Sequence, residues 1–289
     1  MEGGQRVNAI EVSGLTKKYG RVEALRDADL SVRRGEVFGL VGPNGAGKTT
    51  LIKGLVGALR PSEGEVRVMG LNPLKDRAEL RQKIGYMPQG SALYEDLSAR
   101  GNIGFFGAAH RTPDLRKKVD EVLAFTELTE RANDPVRTFS GGMQRRVSLA
   151  CALVHLPEVI FLDEPTAAVD PQLRSRFWKT FRELARDGTT LFISTHLMDE
   201  AMLCDRIAIL RKGRIIANDT PRGILEMGET HLVVERDGAE EEETICGHPE
   251  DLAAALRPYG LQPGVTAVDV ETDTLEAVVL SLIEREEVG

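Results

Sequence analysis

Five apolar residues, Val37–Val41, run directly into Gly42-Pro-Asn-Gly-Ala-Gly-Lys-Thr49, and Leu51, Ile52, Leu55 and Val56 continue the segment as a helix. Strand, glycine-rich turn and helix in that order form the eight-position phosphate-binding loop in its required context. Glycines let the backbone curl until successive N–H groups converge on phosphate oxygens at a helix N-terminus. Gly42, Asn44, Gly45, Gly47 and Thr50 are therefore binding candidates. Lys48 brings a cation to the β- and γ-phosphates, and the Thr49 hydroxyl can ligate Mg²⁺. Guanine specificity commonly needs an Asn-Lys-x-Asp element, and no such tetrapeptide occurs, so ATP is the expected nucleotide.

Further apolar runs at Val159–Leu162, Leu191–Ser194 and Ile207–Leu210 read as strands buried on both faces, as in parallel sheets. Between them Leu115, Val119, Val122 and Leu123, and then Leu173, Phe177, Phe181 and Leu184, recur at near-helical spacing. The alternation predicts an α/β sandwich with a largely parallel core. Ile10, Val12, Ala24, Leu25, Leu30 and Val32 predict further strands of an antiparallel subdomain.

Val159-Ile-Phe-Leu-Asp-Glu-Pro165 ends a strand in two adjacent carboxylates. Downstream of a phosphate-binding loop, Asp163 is placed to hold Mg²⁺ and Glu164 to orient and deprotonate an attacking water. An isolated Asp-Glu pair would read only as a helix cap; the upstream loop favours the catalytic reading. Phe139-Ser-Gly-Gly-Met-Gln-Arg-Arg146 reads as a helix start capped by Ser140, with an exposed, glycine-lined N-terminus suited to an anion.

These motifs together resemble the ATP-binding cassette family, from about Val7 to Pro221. Gln89, in Tyr86-Met-Pro-Gln89, resembles the family's glutamine loop, and His196, in Ser194-Thr-His196, its switch histidine. Ala168-Val-Asp170 is similar to the loop that meets a partner subunit, and Tyr19 stands where the family places an aromatic on adenine. The resemblance implies a P-loop NTPase sandwich with a parallel core sheet, an antiparallel β subdomain and a helical subdomain. It also implies two cassettes head to tail, each ATP lying between one copy's P-loop and the other's Ser140, Gly141 and Gly142. Gln89 would touch Mg²⁺ or the water, and His196 the γ-phosphate. Two departures stand out: Met143 takes the usual glutamine position of the signature, and Ala167-Ala-Val-Asp170 replaces Ser-Gly-Leu-Asp.

Ser-Gly-Gly-Met followed by basic residues resembles the branch whose ATPases drive drug, antibiotic, lipid or polysaccharide exporters. Thr274–Leu282 is similar to a segment closing many such subunits, although Ala277 and Val279 depart from it. A separate integral membrane permease is thus the implied partner, with a homodimer or a heterodimer of cassettes in the ATP-bound state. A soluble cassette ATPase acting on ribosomes or DNA is the alternative. It is disfavoured by a single cassette without heptads and by an acidic chain of net charge −8 lacking a basic stripe. A non-enzymatic binding module is a third reading, disfavoured by the intact Lys48, Asp163, Glu164 and His196.

With 42% hydrophobic and 28% charged residues, the chain has a globular composition. It holds no apolar run long enough for a membrane helix, and MEGGQRVNAI reads as no secretory signal. Its three scattered cysteines read as reduced thiols. The expected location is cytoplasmic, peripheral on the cytoplasmic membrane face. Charge divides the chain: residues 229–289 carry 16 acidic and 3 basic residues, a net of −13, leaving +5 for residues 1–228. The latter are read as the nucleotide-binding domain and 229–289 as a small α+β accessory domain. Strands are expected at His231–Glu235 and Val265–Val270, helices at Glu250–Leu256 and Thr274–Glu286, and a solvated loop at Glu240–Glu243.

Overall fold

Continuous apolar strands need cover on both faces, and a computed structural model provides it; residues 7–236, 239–246, 249–257 and 264–288 are described. The central sheet is ordered β5-β6-β7-β3-β8-β9. It comprises β3 (Val37–Val41), β5 (Ile84–Met87), β6 (Val159–Asp163), β7 (Thr190–Thr195), β8 (Arg206–Arg211) and β9 (Arg214–Asp219). Neighbours from β5 to β8 pair in parallel, and β9 runs antiparallel to β8.

Alternate residues of each inner strand enter different cores. Val37, Val41, Ile160, Leu162, Leu191, Ile193, Ile207 and Ile209 face one. Phe38, Leu40, Val159, Phe161, Phe192, Ala208 and Leu210 face the other. Each such Phe or Ile, fully removed from water, contributes about 1.5–3 kcal/mol.

The second core is closed by α1 (Lys48–Leu55), through Leu51, Ile52 and Leu55, and by an antiparallel sheet ordered β2-β1-β4. That sheet holds β1 (Asn8–Tyr19), β2 (Val22–Arg33) and β4 (Glu63–Val68). Ile10 pairs with Val32 and Val12 with Leu30, as their alternation predicts. After α2 (Arg77–Lys83), three mutually packed helices form an arm inserted between β5 and β6. They are α3 (Ala99–Ala109), α4 (Leu115–Phe125) and α5 (Gly141–Leu153). The first core also takes in α6 (Pro171–Arg186), and α7 (Met198–Ala201) and α8 (Pro221–Leu225) follow β7 and β9. Among the described residues no helix is long and apolar enough to cross a membrane.

A third sheet, ordered β11-β10-β12, joins β10 (Glu229–Arg236), β11 (Ala239–Cys246) and β12 (Val265–Thr272), with α9 (Pro249–Leu256) and α10 (Leu275–Val288) beside it. One expectation is corrected here: Glu240–Glu243 lie in a strand, not a loop. Glu240 pairs with Glu235 and Glu243 with Leu232. Four consecutive glutamates carry no alternation to announce a strand, whereas pairing is made by the backbone. On α10, Leu275, Val278 and Val279 are buried in the first core, and the helix contacts α8 and β9. This acidic segment is thus seated through an apolar helix face.

Where the arm meets the central sheet, His110 and His155 stack with ring centroids 3.7 Å apart and planes 11° from parallel. They border an apolar cleft of about 340 Å³ shared with Tyr86, Phe106 and Cys151. Burial, and then the neighbouring His110, push the His155 imidazole down to about 4; burial lowers His110 as well. Both rings therefore favour the neutral form in the folded chain more than in the unfolded one. An unfolded His155 takes up its proton below the ordinary value of 6.5, so its contribution is full above that pH and is lost as pH falls toward about 4. Replacing His155 with Gln is expected to lessen the fall in melting temperature between pH 7 and pH 4. Thermal melts of both proteins across that range check it.

Candidate active site

The phosphate-binding loop follows β3, and Gly47 caps α1 with φ +114°, a conformation that disfavours any side chain. A Cβ at Gly47 would also lie 2.5 Å from the Ala24 carbonyl oxygen. No side chain caps α1, so its first-turn N–H groups are left to the cleft. That cleft, about 170 Å³, is lined by Asn44, Gly45, Gly47, Lys48, Thr49 and Thr50, with Gln89 and Glu164 across it.

Lys48 is 6% exposed; its Nζ donates to the Gly42 carbonyl at 2.6 Å and stands 3.6 Å from Glu164 Oε1. Burial lowers its affinity for a proton, and the charges of Glu164 and Asp163 oppose that effect. Thr49 Oγ1 donates to Asp163 Oδ2 at 2.8 Å, and the Ser194 hydroxyl donates to Asp163 Oδ1. Glu164 is 8% exposed and is met from three sides. Besides Lys48, Gln89 Nε2 lies 3.4 Å from its Oε2, and His196 Nδ1 lies 3.4 Å from its Oε1. His196 is itself 45% exposed.

Strand register makes this convergence. Asp163 pairs with Ser194, Val41 with Thr195 and Met87 with Leu162, so the C-terminal ends of four neighbouring strands lie at one level. Glu164 lies just past β6 with φ +52°, a left-handed conformation that costs a non-glycine residue about 1–3 kcal/mol. Its N–H is held by the Ser194 carbonyl and hydroxyl oxygens, both at 3.1 Å.

The remaining candidates lie outside this cleft. Ser140 caps α5, accepting from the Met143 N–H at 3.4 Å. Beyond Gly141 a Cβ would meet nothing within 4 Å, whereas at Gly142 it would approach the Ala168 carbonyl to 2.9 Å. The signature helix thus presents an open N-terminus beside the loop that follows Glu164. Met143 packs on the first core, with its sulfur 3.5 Å from Arg131. Asp170 caps α6, accepting from the Leu173 N–H at 2.9 Å. Tyr19, at the end of β1 and 49% exposed, has Lys17 Nζ 5.0 Å from its ring centre and does not line the cleft. Among the described residues no cluster of three or more His, Cys, Asp or Glu side chains is set to hold a metal.

Residues 25–167 match the ABC transporter family model. The linearmycin resistance ATP-binding protein LnrL of Bacillus subtilis is 35% identical over 95% of this chain and 89% of its own length. The chain belongs to the ABC transporter family. A Nod factor export ATP-binding protein of Sinorhizobium fredii is 36% identical over 92% of this chain and 75% of that protein. A dimeric ATP-binding cassette of solved structure, in a post-hydrolysis state with ADP and Pi, is 30% identical with a TM-score of 0.66. The match covers 73% of this chain and 98% of that one. A solved ATP-binding subunit of an ABC transporter shares the fold over 95% of this chain and 99% of its own, with a TM-score of 0.74 and 24% identity. The chain is an ATP-binding subunit with the ABC ATPase domain, from a family whose cassettes dimerise and work with membrane permeases.

Two side chains that the motifs did not single out organise the site. Arg145, on α5, donates to the carbonyl oxygens of Gln89 at 3.0 Å and Asp163 at 2.7 Å, and to that of Glu164. Glu200, 2% exposed, accepts from Thr195 Oγ1 at 2.7 Å and from Thr166 Oγ1, with Arg174 Nε at 3.7 Å. It thereby links the loop after β6 to the loop bearing His196. Its position four residues beyond His196 is the one sequence cue. Replacing Glu200 with Ala leaves two buried hydroxyls without their shared acceptor, and is expected to lower the unfolding free energy by about 2–3 kcal/mol. Urea unfolding of the two proteins measures the difference.

Proposed function

We propose that this subunit hydrolyses MgATP with Glu164 as general base, in a two-copy assembly that drives an exporter permease. The observation that carries the reading is the convergence of Lys48, Gln89 and His196 on one buried carboxylate. Glu164 orients a water and takes its proton as the water oxygen bonds to the terminal phosphorus. The bond from that phosphorus to the β-phosphate oxygen breaks, leaving ADP and phosphate. Lys48 neutralises the β- and γ-phosphates, His196 donates to the γ-phosphate, and Gln89 positions the water.

The facing Thr49 hydroxyl and Asp163 carboxylate form the hard oxygen set that Mg²⁺ takes together with phosphates, and these residues fit the ion. Thr49 and Asp163 would hold it, with Gln89 a further ligand. When bound, it supplies charge neutralisation at the phosphate oxygens.

Ser140, Gly141 and Gly142, at an open helix N-terminus, would face the nucleotide of the partner copy. Asp170 belongs to the loop meeting that copy, and Tyr19 stacks on adenine. The dimeric relative with ADP and Pi supports this arrangement, with two copies of this chain as the assembly. Relatives that carry drug resistance and Nod factor export in their names support export, and with it a place on the cytoplasmic face of the membrane. In this reading residues 1–228 are the nucleotide-binding domain and 229–289 an accessory domain seated through α10.

Replacing Glu164 with Gln should preserve ATP binding and ATP-dependent dimerisation while lowering turnover about 10²–10⁴-fold. Lys48→Ala should instead weaken nucleotide binding. Phosphate release, gel filtration in ATP and nucleotide titration separate the two; a Glu164→Gln chain that hydrolyses normally contradicts the assignment.

A further inference from the structure

A left-handed backbone at a glutamate persists only where its surroundings over-determine it. Hydrogen bonds to both backbone groups act on Glu164, whose φ is +52°. Its N–H is fixed by Ser194, on the neighbouring strand. Its carbonyl accepts from Arg145, which reaches in from α5, and from the Ala167 N–H at 3.3 Å within its own loop.

The same guanidinium also takes the Asp163 carbonyl at 2.7 Å and, through its other terminal nitrogen, the Gln89 carbonyl at 3.0 Å. One side chain thus binds three points of the site's framework, in two segments separated in sequence by the whole helical arm. A planar fork of donors suits divergent carbonyls; an ammonium is a single point donor. Partial burial disfavours the charge on Arg145, while Glu164 and Asp163 favour it. Arg146, the next residue, turns the other way, to the Thr126 carbonyl at 3.4 Å and Glu127 at 3.9 Å within the arm. Anchoring α5 to its own subdomain is therefore served by a different residue.

We propose that Arg145 is a positioning residue for hydrolysis, holding Glu164 in the left-handed conformation that aims its carboxylate into the phosphate cleft. The proposal rests on the reading of Glu164 as the base. It assigns Arg145 to the chemical step, as distinct from nucleotide binding or docking of the signature helix. Removing the guanidinium leaves the Glu164 carbonyl only the longer bond from the Ala167 N–H, a donor of the same loop that can move with it, so the backbone relaxes toward ordinary φ values and the carboxylate swings away from Lys48 and Gln89. A displacement on the order of 1 Å is enough to cost about 10²-fold in rate.

The test uses the full chain with Arg145→Ala, Arg145→Lys and the double variant Arg145→Ala/Glu164→Gln. Steady-state ATPase assays are expected to give a kcat lowered about 10–100-fold for Arg145→Ala, with the KM for ATP within about twofold of the parent. Arg145→Lys should recover only part of the loss, because one ammonium cannot hold three carbonyls. The double variant should still dimerise with ATP on gel filtration, as is expected of Glu164→Gln alone. An unchanged kcat in Arg145→Ala overturns the proposal, as does a raised KM with kcat intact. Loss of ATP-dependent dimerisation in the double variant also overturns it, because Arg145 would then be holding the signature helix. If Arg145→Ala does not fold, the kcat and KM of Arg145→Lys decide by the same criteria. Failure of the base assignment is read separately, from turnover by Glu164→Gln alone.

Discussion

The register of four parallel strands is the constraint on which the rest depends. Because Asp163 lies level with Ser194 and Val41 with Thr195, the segments leaving β6, β7 and β3 emerge side by side. With β5 alongside, Gln89, Glu164, His196 and Lys48 are brought together just past the ends of these strands, next to Asp163 at the end of β6. A slip of one residue in any pair would turn a strand's apolar set from one core to the other. The two hydrophobic cores that hold the register therefore also set the geometry of the phosphate site.

Charges inside that site are arranged so that each answers another. Lys48 is buried enough to lose proton affinity, and Glu164 and Asp163 restore part of it. Asp163 is held by two hydroxyls, from Thr49 and Ser194, and Glu200 by those of Thr166 and Thr195. The segments at the ends of β6 and β7 are thereby tied at two points, through Ser194 to Asp163 and Glu164 and through Glu200 to Thr166 and Thr195. The open N-terminus of α5 lies outside the cleft, beside the Ala168 loop.

What was legible in the sequence was what is local. The strand-to-helix turn around Lys48, the Asp163–Glu164 pair at a strand end and the capped start at Ser140 are each written in a few adjacent residues, and all stand where they were expected. The two-core sheet was legible because an uninterrupted apolar strand requires cover on both faces. Arg145 was not legible as a site residue, since two of its carbonyl partners lie 56 and 18 residues away and a carbonyl leaves no trace in residue identity. The left-handed Glu164 left none either. Glu240–Glu243 misled for the opposite reason: charge patterning reports a face, and the ladder that holds β11 is backbone. The apolar face of α10 was legible in the helical spacing of Leu275, Val278, Val279, Leu282 and Ile283, but not the α8 and β9 surface on which it is seated.

The central proposal is that a complete site takes its P-loop and Glu164 from one copy and its Ser140–Gly142 segment from another. It is tested most directly by mixing two inactive chains, one carrying Ser140→Arg and the other Lys48→Ala. Their mixed dimer rebuilds one intact site, from the P-loop of the first and the signature helix of the second, and leaves the other doubly damaged. ATPase activity that appears only on mixing, and approaches half that of the parent per mixed dimer, is the predicted result. A mixture no more active than either chain alone would contradict it.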